Sequence, residues 1–183
     1  MLYIMRHGKT DWNALRLMQG RTDIPLNEEG RAMARAAREQ LGGLRFDVCF
    51  CSPLQRALET ATLLLEGTGT PIRTEERLVE MCFGASEGQV GYADNHDGGP
   101  MDILFNDPVH YVARDGAESF EALFTRTGAF LRDTAFPLSD AGRHVLIVAH
   151  GAVNCSIISA LRQLPLSDFW TCLPGNCELT RLR

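Results

Sequence analysis

The chain has 183 residues, 45% of them apolar and 22% charged, which is the composition of an ordinary globular protein and a length that fits one domain. Its formal net charge of −5 excludes a broadly basic surface of the kind that binds nucleic acid or anionic membrane, so any anion site has to be local. No apolar run approaches the roughly 20 residues that span a bilayer, and the first is too short for a signal-peptide core, so the expected address is the cytoplasm.

Leu2-Tyr3-Ile4-Met5 is a short apolar run that stops at Arg6-His7-Gly8, the pattern of a buried strand followed by a turn. A polar and aromatic stretch, Lys9 to Asn13, leads into a loop with Gln19-Gly20 and Pro25. Glycine at position 20 lets backbone N–H groups approach a ligand closely, although an ordinary turn gives the same pattern. Asn27 ahead of Glu28 and Glu29 predicts a helix start with an anionic first turn. Met33, Ala34, Ala37 and Leu41 supply its apolar stripe, and Gly42-Gly43 end it.

Phe46 to Cys51 reads as the second strand. Ser52-Pro53-Leu54-Gln55 combines an N-cap serine, a first-turn proline and a capping-box glutamine, and so predicts a helix start. Leu54, Ala57, Leu58, Ala61, Leu64 and Leu65 are its expected buried stripe. Arg56 is out of place there, a cation where the helix dipole is already positive. It is either a solvated side chain or half of an anion site, because helix N-termini and guanidinium forks both favour phosphate.

Thr70 to Thr74 reads as a loop entering an edge strand. Arg77 to Gly84 places Glu80 among apolar neighbours, where desolvation raises a carboxyl pKa towards that of a general acid; the exposed face of a strand is the alternative. From about 85 to 117 periodicity fades into a glycine-rich stretch, expected to form a small lid or insert over the pocket, with short helical turns at Met101–Phe105 and Val109–Val112. Its Asp94, His96 and Asp97 have ligand chemistry, but the glycine-rich context points to a hydrated loop rather than a metal. Ser119 opens a helix whose Phe120, Leu123, Phe124, Phe130 and Leu131 form a core stripe. Val145 to Ala149 is another buried strand ending in His150-Gly151, followed by a helix from Ala152 to Leu164 and a last strand from Cys177 to Leu182. None of the six cysteines forms a Cys-x-x-Cys pair and several sit in apolar runs, so they are expected to be buried free thiols, with Cys172 and Cys177 the candidates for exposure.

Strands alternating with helices predict a three-layer α/β/α sandwich with a mostly parallel central sheet. If both His-Gly strand exits belong to parallel strands, both imidazoles emerge at the carboxyl edge, where open α/β sheets place their ligands. An isolated histidine after a strand is more often a turn or core residue. Two such exits, one with an adjacent arginine, point to catalysis.

Taken together, Arg6-His7-Gly8-Lys9-Thr10-Asp11-Trp12-Asn13, Ser52-Pro53-Leu54-Gln55-Arg56-Ala57, Glu80 and His150-Gly151 resemble the histidine phosphatase superfamily, also called the phosphoglycerate mutase-like family, in order over nearly the whole chain. The resemblance implies one domain over residues 1–183 with the insert at about 85–117. It also implies that His7 is the nucleophile and forms a phosphohistidine, that Arg6, Arg56 and His150 grip the phosphoryl oxygens, and that Glu80 protonates the leaving alkoxide. Asn13, Gln19, Gly20 and the backbone at Gly151 are then supporting contacts to phosphate. No metal and no cofactor is implied.

The expected function is a metal-independent phosphomonoester hydrolase acting on a small phosphorylated metabolite. A cofactor-dependent phosphoglycerate mutase and a non-catalytic phospholigand-binding protein are the alternatives, with a metallohydrolase built on His7 and His150 behind them. Two departures bear on this choice. Ser86-Glu87-Gly88 lacks the tryptophan that many relatives carry before this Glu-Gly, and the stretches after Glu80 and after the last strand are short. A more open site favours water as acceptor, hence phosphatase over mutase. The expected partner is a small phosphorylated substrate, not nucleic acid or membrane; whether the chain forms a homodimer stays open, as does the metabolite.

Overall fold

The computed structural model describes residues 1–90 and 96–183. In chain order its elements are β1 (Leu2–Arg6), α1 (Asp11–Ala14), α2 (Glu28–Gln40), β2 (Val48–Cys51), α3 (Gln55–Leu65), β3 (Ile72–Thr74), α4 (Pro100–Asn106) and α5 (Phe120–Phe130). A π-helical stretch, Leu131–Ala135, carries α5 into α6 (Phe136–Asp140), and β4 (Val145–Ala149), α7 (Gly151–Arg162) and β5 (Leu179–Arg181) follow. Short 3₁₀ turns occupy Glu76–Leu78, Gly84–Ser86, Pro108–His110 and Leu166–Cys172.

The sheet order is β3-β2-β4-β1-β5, parallel throughout except for the antiparallel edge strand β5. Successive side chains of a strand point to opposite faces, and here both faces are buried. Leu2, Ile4, Val48, Phe50, Val145 and Ile147 meet Phe120, Leu123 and Phe130 of α5 and Val153 and Ile157 of α7. Tyr3, Met5, Cys49, Cys51, Leu146 and Val148 meet Ala37 of α2 and Ala57, Ala61 and Leu64 of α3. That double cover is why the strands are apolar without alternation, and it makes the three-layer α/β/α sandwich expected from the sequence.

Asn27 caps α2, its side chain accepting from the Gly30 N–H at 2.9 Å, and Ser119 caps α5 through the Ala122 N–H at 3.1 Å. The start of α3 differs from expectation. Ser52 does not cap it; the serine oxygen accepts from the Leu54 N–H at 3.3 Å, and the helix begins at Gln55. Asp23, from a loop far away in sequence, takes over: its carboxylate accepts from the Gln55 N–H at 2.8 Å and from the Gln55 side chain at 3.1 Å. A through-space anion thus does what the local Ser-Pro-Leu-Gln pattern suggests for serine.

Of the expected stripe on α3, Ala57, Ala61, Leu64 and Leu65 are buried. Leu58 is exposed and Leu54 only half-buried, while Arg56 and Thr60 are fully buried. Arg77 to Gly84 is a 3₁₀ turn and irregular chain, not a strand. Cys49, Cys51 and Cys155 are buried free thiols, whereas Cys82, Cys172 and Cys177 are half-buried. Asp94 lies outside the described residues, and among those residues no group of three potential metal ligands is found. None of the described helices is long and apolar enough to cross a membrane.

Candidate active site

The pairing of β1 with β4 places Arg6 opposite Ala149, so the next residue of each strand, His7 and His150, leaves the sheet beside the other. The His7 N–H donates to the Ala149 carbonyl at 3.0 Å, and the two rings lie 5.1 Å apart, tilted by 59°. Both imidazoles are buried. His7 Nδ1 lies 2.7 Å from the Gly8 carbonyl oxygen, a contact that needs the proton on Nδ1 and leaves a lone pair on Nε2. Burial, then the Arg56 and Arg6 charges, holds the His7 pKa well below 6.5, so at neutral pH this ring is uncharged.

His150 has the opposite tautomer. Its Nδ1 accepts from Arg56 Nε at 3.2 Å, so the proton sits on Nε2, which is buried and has no partner among the described residues. Burial, then Arg56, His7 and Arg6, keeps this ring neutral too.

Arg56 leaves the first turn of α3 and is completely buried, so it is no solvated side chain. Its Nη1 donates to the Thr22 carbonyl at 2.8 Å and its Nη2 to the Gly20 carbonyl at 2.6 Å. Burial pushes its pKa down to about 10, against the pull of the Glu80, Asp23 and Glu87 carboxylates, so it remains a cation at neutral pH. Arg6 donates from Nη1 to the Pro174 carbonyl at 3.2 Å, and its Nε is buried without a partner among the described residues. Unsatisfied buried donors are costly. His150 Nε2–H and Arg6 Nε–H, with the Arg56 guanidinium alongside, are the chemistry of an oxyanion site.

Glu80 is 7% exposed. Its Oε1 accepts from the Met81 N–H at 2.8 Å and the Val153 N–H at 3.3 Å, and its Oε2 from the Ala152 N–H at 3.3 Å. Burial raises its pKa above 4.5, and the Met81 and Ala152 amides, Arg56 and Arg6 pull it back without cancelling the rise. Glu80 is therefore buried rather than on an exposed strand face, with backbone amides around its carboxylate.

These groups line one cavity of about 330 Å³, which takes in Arg6, His7, Asn13, Gln19, Gly20, Arg56, Glu80 and Gly151, with Met18, Phe83, Phe105, Trp170 and Leu173 as apolar wall. His150 is the one expected site residue outside that lining; it sits behind, against Arg56 and His7. Asn13 closes a capping box with Thr10, and Gln19 accepts from the Thr10 hydroxyl at 3.0 Å, so a single threonine sets both amide side chains. At Gly151 a Cβ would lie 3.6 Å from Glu80 Oε2 and 3.9 Å from the Arg6 guanidinium carbon.

Four residues of this machinery escaped the sequence reasoning. Asn176 Nδ2 donates to the His7 carbonyl at 2.7 Å, yet in sequence it is only a turn residue before the last strand. Thr60 accepts from the Gly8 N–H at 3.0 Å while donating to the Arg56 carbonyl at 2.6 Å. Its place four residues after Arg56, on the same helix face, was the available signal. Thr10 is the third.

Glu87 is the fourth: its carboxylate accepts from the N–H groups of Arg21, Thr22 and Phe83 at 3.0, 2.9 and 3.1 Å and from the Thr22 hydroxyl at 2.6 Å. It thereby fixes the loop whose carbonyls hold Arg56. Gly20 has φ +52, and a Cβ there would collide with the Glu87 carboxylate, so glycine is required on both counts.

A mostly parallel α/β sheet with two uncharged imidazoles at its carboxyl edge, two arginines and a buried carboxyl has the make-up of a phosphoryl-binding protein. The chain matches the histidine phosphatase superfamily (branch 1) over residues 2–183, and it belongs to that family. Among solved structures, Bacillus stearothermophilus YhfR superposes with a TM-score of 0.84 at 33% identity, covering 96% of this chain and 85% of that one. Glucosyl-3-phosphoglycerate phosphatase of Mycobacterium tuberculosis is 32% identical over 99% of this chain and 84% of its own length. The 2,3-bisphosphoglycerate-dependent phosphoglycerate mutase of Methylobacterium is also 32% identical, over 95% of this chain and 88% of its own.

Proposed function

We propose that this protein is a metal-independent phosphomonoester hydrolase that works on a small phosphorylated molecule through a phosphohistidine at His7. The observation that carries this is the convergence, in one cavity, of a neutral imidazole with its Nε2 lone pair free, the buried Arg56 guanidinium, the half-buried Arg6 guanidinium and a buried carboxyl. His7 Nε2 attacks phosphorus as the bond to the ester oxygen breaks. Positive charge gathers on the imidazole, and the Gly8 carbonyl at Nδ1 stabilises it.

Arg6, Arg56 and the Nε2–H of His150 take the equatorial oxygens, each donor worth roughly 10²–10³ in rate. Asn13, Gln19, Gly20 and the Gly151 backbone support that cradle. Glu80, in its acid form, gives its proton to the departing alkoxide. Arrival of a phosphate dianion beside it raises its pKa further and favours that form. Water then attacks the phosphohistidine, Glu80 accepts the water proton, and phosphate leaves with His7 neutral again. Because side chains carry the positive charge, no metal ion has a step to perform; full activity after chelation is expected.

We read residues 1–183 as one domain with 85–117 as an insert over the site. Phe105 of α4 reaches the cavity, while the Phe83–Ala117 bridge and the Glu118 N–H to the Cys82 carbonyl at 2.8 Å draw its two ends together.

The test is phosphate release by His7→Ala, expected to vanish, and by Glu80→Gln. The second should lose about 10²–10⁴ on alkyl phosphates and far less on nitrophenyl phosphate, whose leaving group needs no proton. Equal losses on both substrates would remove Glu80 from the acid role. The similarity to a mutase keeps a second outcome in view: with 3-phosphoglycerate and a 2,3-bisphosphoglycerate primer, 2-phosphoglycerate accumulating faster than free phosphate would make this a mutase.

A further inference from the structure

Resting on the phosphomonoesterase assignment, we infer that the preferred substrates are monophosphates of alcohols carrying a flat apolar or aromatic group close to the ester oxygen, rather than monophosphates with a second anionic group. The cavity has two chemical halves. Its polar lining is Arg6, His7, Asn13, Gln19, Arg56 and Glu80 with Arg16; its apolar lining is Met18, Phe83, Phe105, Trp170 and Leu173 with Ala152. Among the described lining residues Arg16 is the one cation outside the phosphoryl centre, and it is exposed. An ion pair formed there would be worth little in water. A substrate carboxylate set against the apolar wall would lose its hydration without gaining a partner.

The wall is also rigid. Trp170 Nε1 donates to the Leu104 carbonyl at 2.7 Å, and the Trp170 ring lies 4.7 Å from Phe105 and 4.8 Å, edge-on, from Phe169. Two segments far apart in sequence, α4 and the 3₁₀ turn Leu166–Cys172, are joined through this indole. A ring packed against it loses little protein entropy on binding, which is the advantage of preorganised aromatic surfaces. Leu173 is 41% exposed at the same cavity, apolar surface that a bound ring would cover. At about 330 Å³ the cavity is near the small end of ligand sites, roughly 300–1,000 Å³, which suits a phosphoryl group and one ring system.

The experiment compares kcat/KM of the full chain for phenethyl phosphate, ethyl phosphate, O-phosphoserine and 3-phosphoglycerate by phosphate release. All four are unactivated alkyl esters, and the serine hydroxyl is a better leaving group than phenethyl alcohol, so a preference for the latter cannot come from leaving-group chemistry. Phenethyl phosphate is expected to exceed ethyl phosphate by at least about tenfold, a normal yield for one apolar group in a fitting pocket, and to exceed phosphoserine and 3-phosphoglycerate as well.

Trp170→Ala should lower the phenethyl-to-ethyl ratio about tenfold. Leu173→Lys, at a position open enough to fold normally, should shift the phenethyl-to-phosphoserine ratio about tenfold towards phosphoserine. Faster turnover of phosphoserine or 3-phosphoglycerate than of phenethyl phosphate, or wild-type ratios in both variants, would overturn the inference and leave the phosphatase standing. No phosphate released from any of the four would overturn both.

Discussion

Gly8 and Gly30 let two backbones touch directly beneath His7, and that contact gives a sharp test of how closely His7 has to be placed. A Cβ on Gly8 would lie 2.6 Å from the Gly30 carbonyl oxygen, 0.8 Å inside the 3.4 Å at which ordinary contact begins. Neither side can yield by rotating a side chain, because both are main chain. Gly8→Ala therefore has to move the 7–9 backbone or the first turn of α2 by about 0.8 Å. The Gly8 carbonyl that holds His7 Nδ1 and the Gly8 N–H that meets Thr60 move with it.

A misplacement near 1 Å of a reacting group costs on the order of 10² in rate, and the overpacking itself costs about 1–3 kcal/mol of stability. The assay is kcat for phosphate release at saturating substrate, alongside the unfolding midpoint. Gly30→Ala presses on the neighbouring backbone from the other side, its Cβ running still deeper into the Lys9 carbonyl, and should cost at least as much kcat. Since both press the 7–9 backbone and the first turn of α2 apart, the double variant should be far from additive. A Gly8→Ala protein with wild-type kcat would show that the nucleophile tolerates such shifts and would refute the argument.

Asn176→Ala, which frees the His7 carbonyl, should lower kcat about tenfold with little change in KM; a KM effect alone would count against a role in setting the nucleophile. Replacing Glu87 by Gln puts an amide N–H where one of two accepting oxygens was, facing donors from Arg21, Thr22 and Phe83; chemical denaturation should show a loss of roughly 1–3 kcal/mol.

Both histidine pKa values are depressed on folding, so between the unfolded value near 6.5 and the lower folded values the unfolded chain binds more protons and stability falls with falling pH. Each ring contributes a slope of at most about 1.4 kcal/mol per pH unit, and His150→Gln should flatten the dependence of unfolding free energy on pH in that window. The raised pKa of Glu80 acts on rate in the other direction: kcat for alkyl phosphates should fall as pH rises through it, a limb that Glu80→Gln removes.

Asn154 is wholly buried with both amide atoms unpaired among the described residues, so Asn154→Leu should raise stability by about 1–3 kcal/mol; a loss would mean the amide has a partner after all.

Those parts of the site that sit on strand exits could be read from the chain itself. A short apolar run broken by Arg6-His7-Gly8, and another by His150-Gly151, need only the rule that parallel strands present their carboxyl ends together. Arg56 stood out because a cation at a helix start opposes the dipole, and its complete burial answers that oddity. What the chain hid is held through space. Asp23 caps α3 from a loop, and local capping patterns carry no information about an anion more than thirty residues away. Asn176 and Glu87 act through backbone groups, which have no residue-specific signature. On α3 apolarity marks Leu58 as buried beside Ala57, Ala61, Leu64 and Leu65, but the loop carbonyls and His150 draw Arg56 inside, and the Gly8 N–H draws Thr60 in.

The Asn176 contact to His7 spans 169 positions of chain, and His7 leans equally on Ala149 and His150. The His7 imidazole is thereby left unset until Asn176 and the strands around it have docked, because contacts this far apart in sequence form late. Recovery of turnover after dilution from denaturant should then lag behind recovery of helical signal, and serve as a clock for completion of the entire sheet.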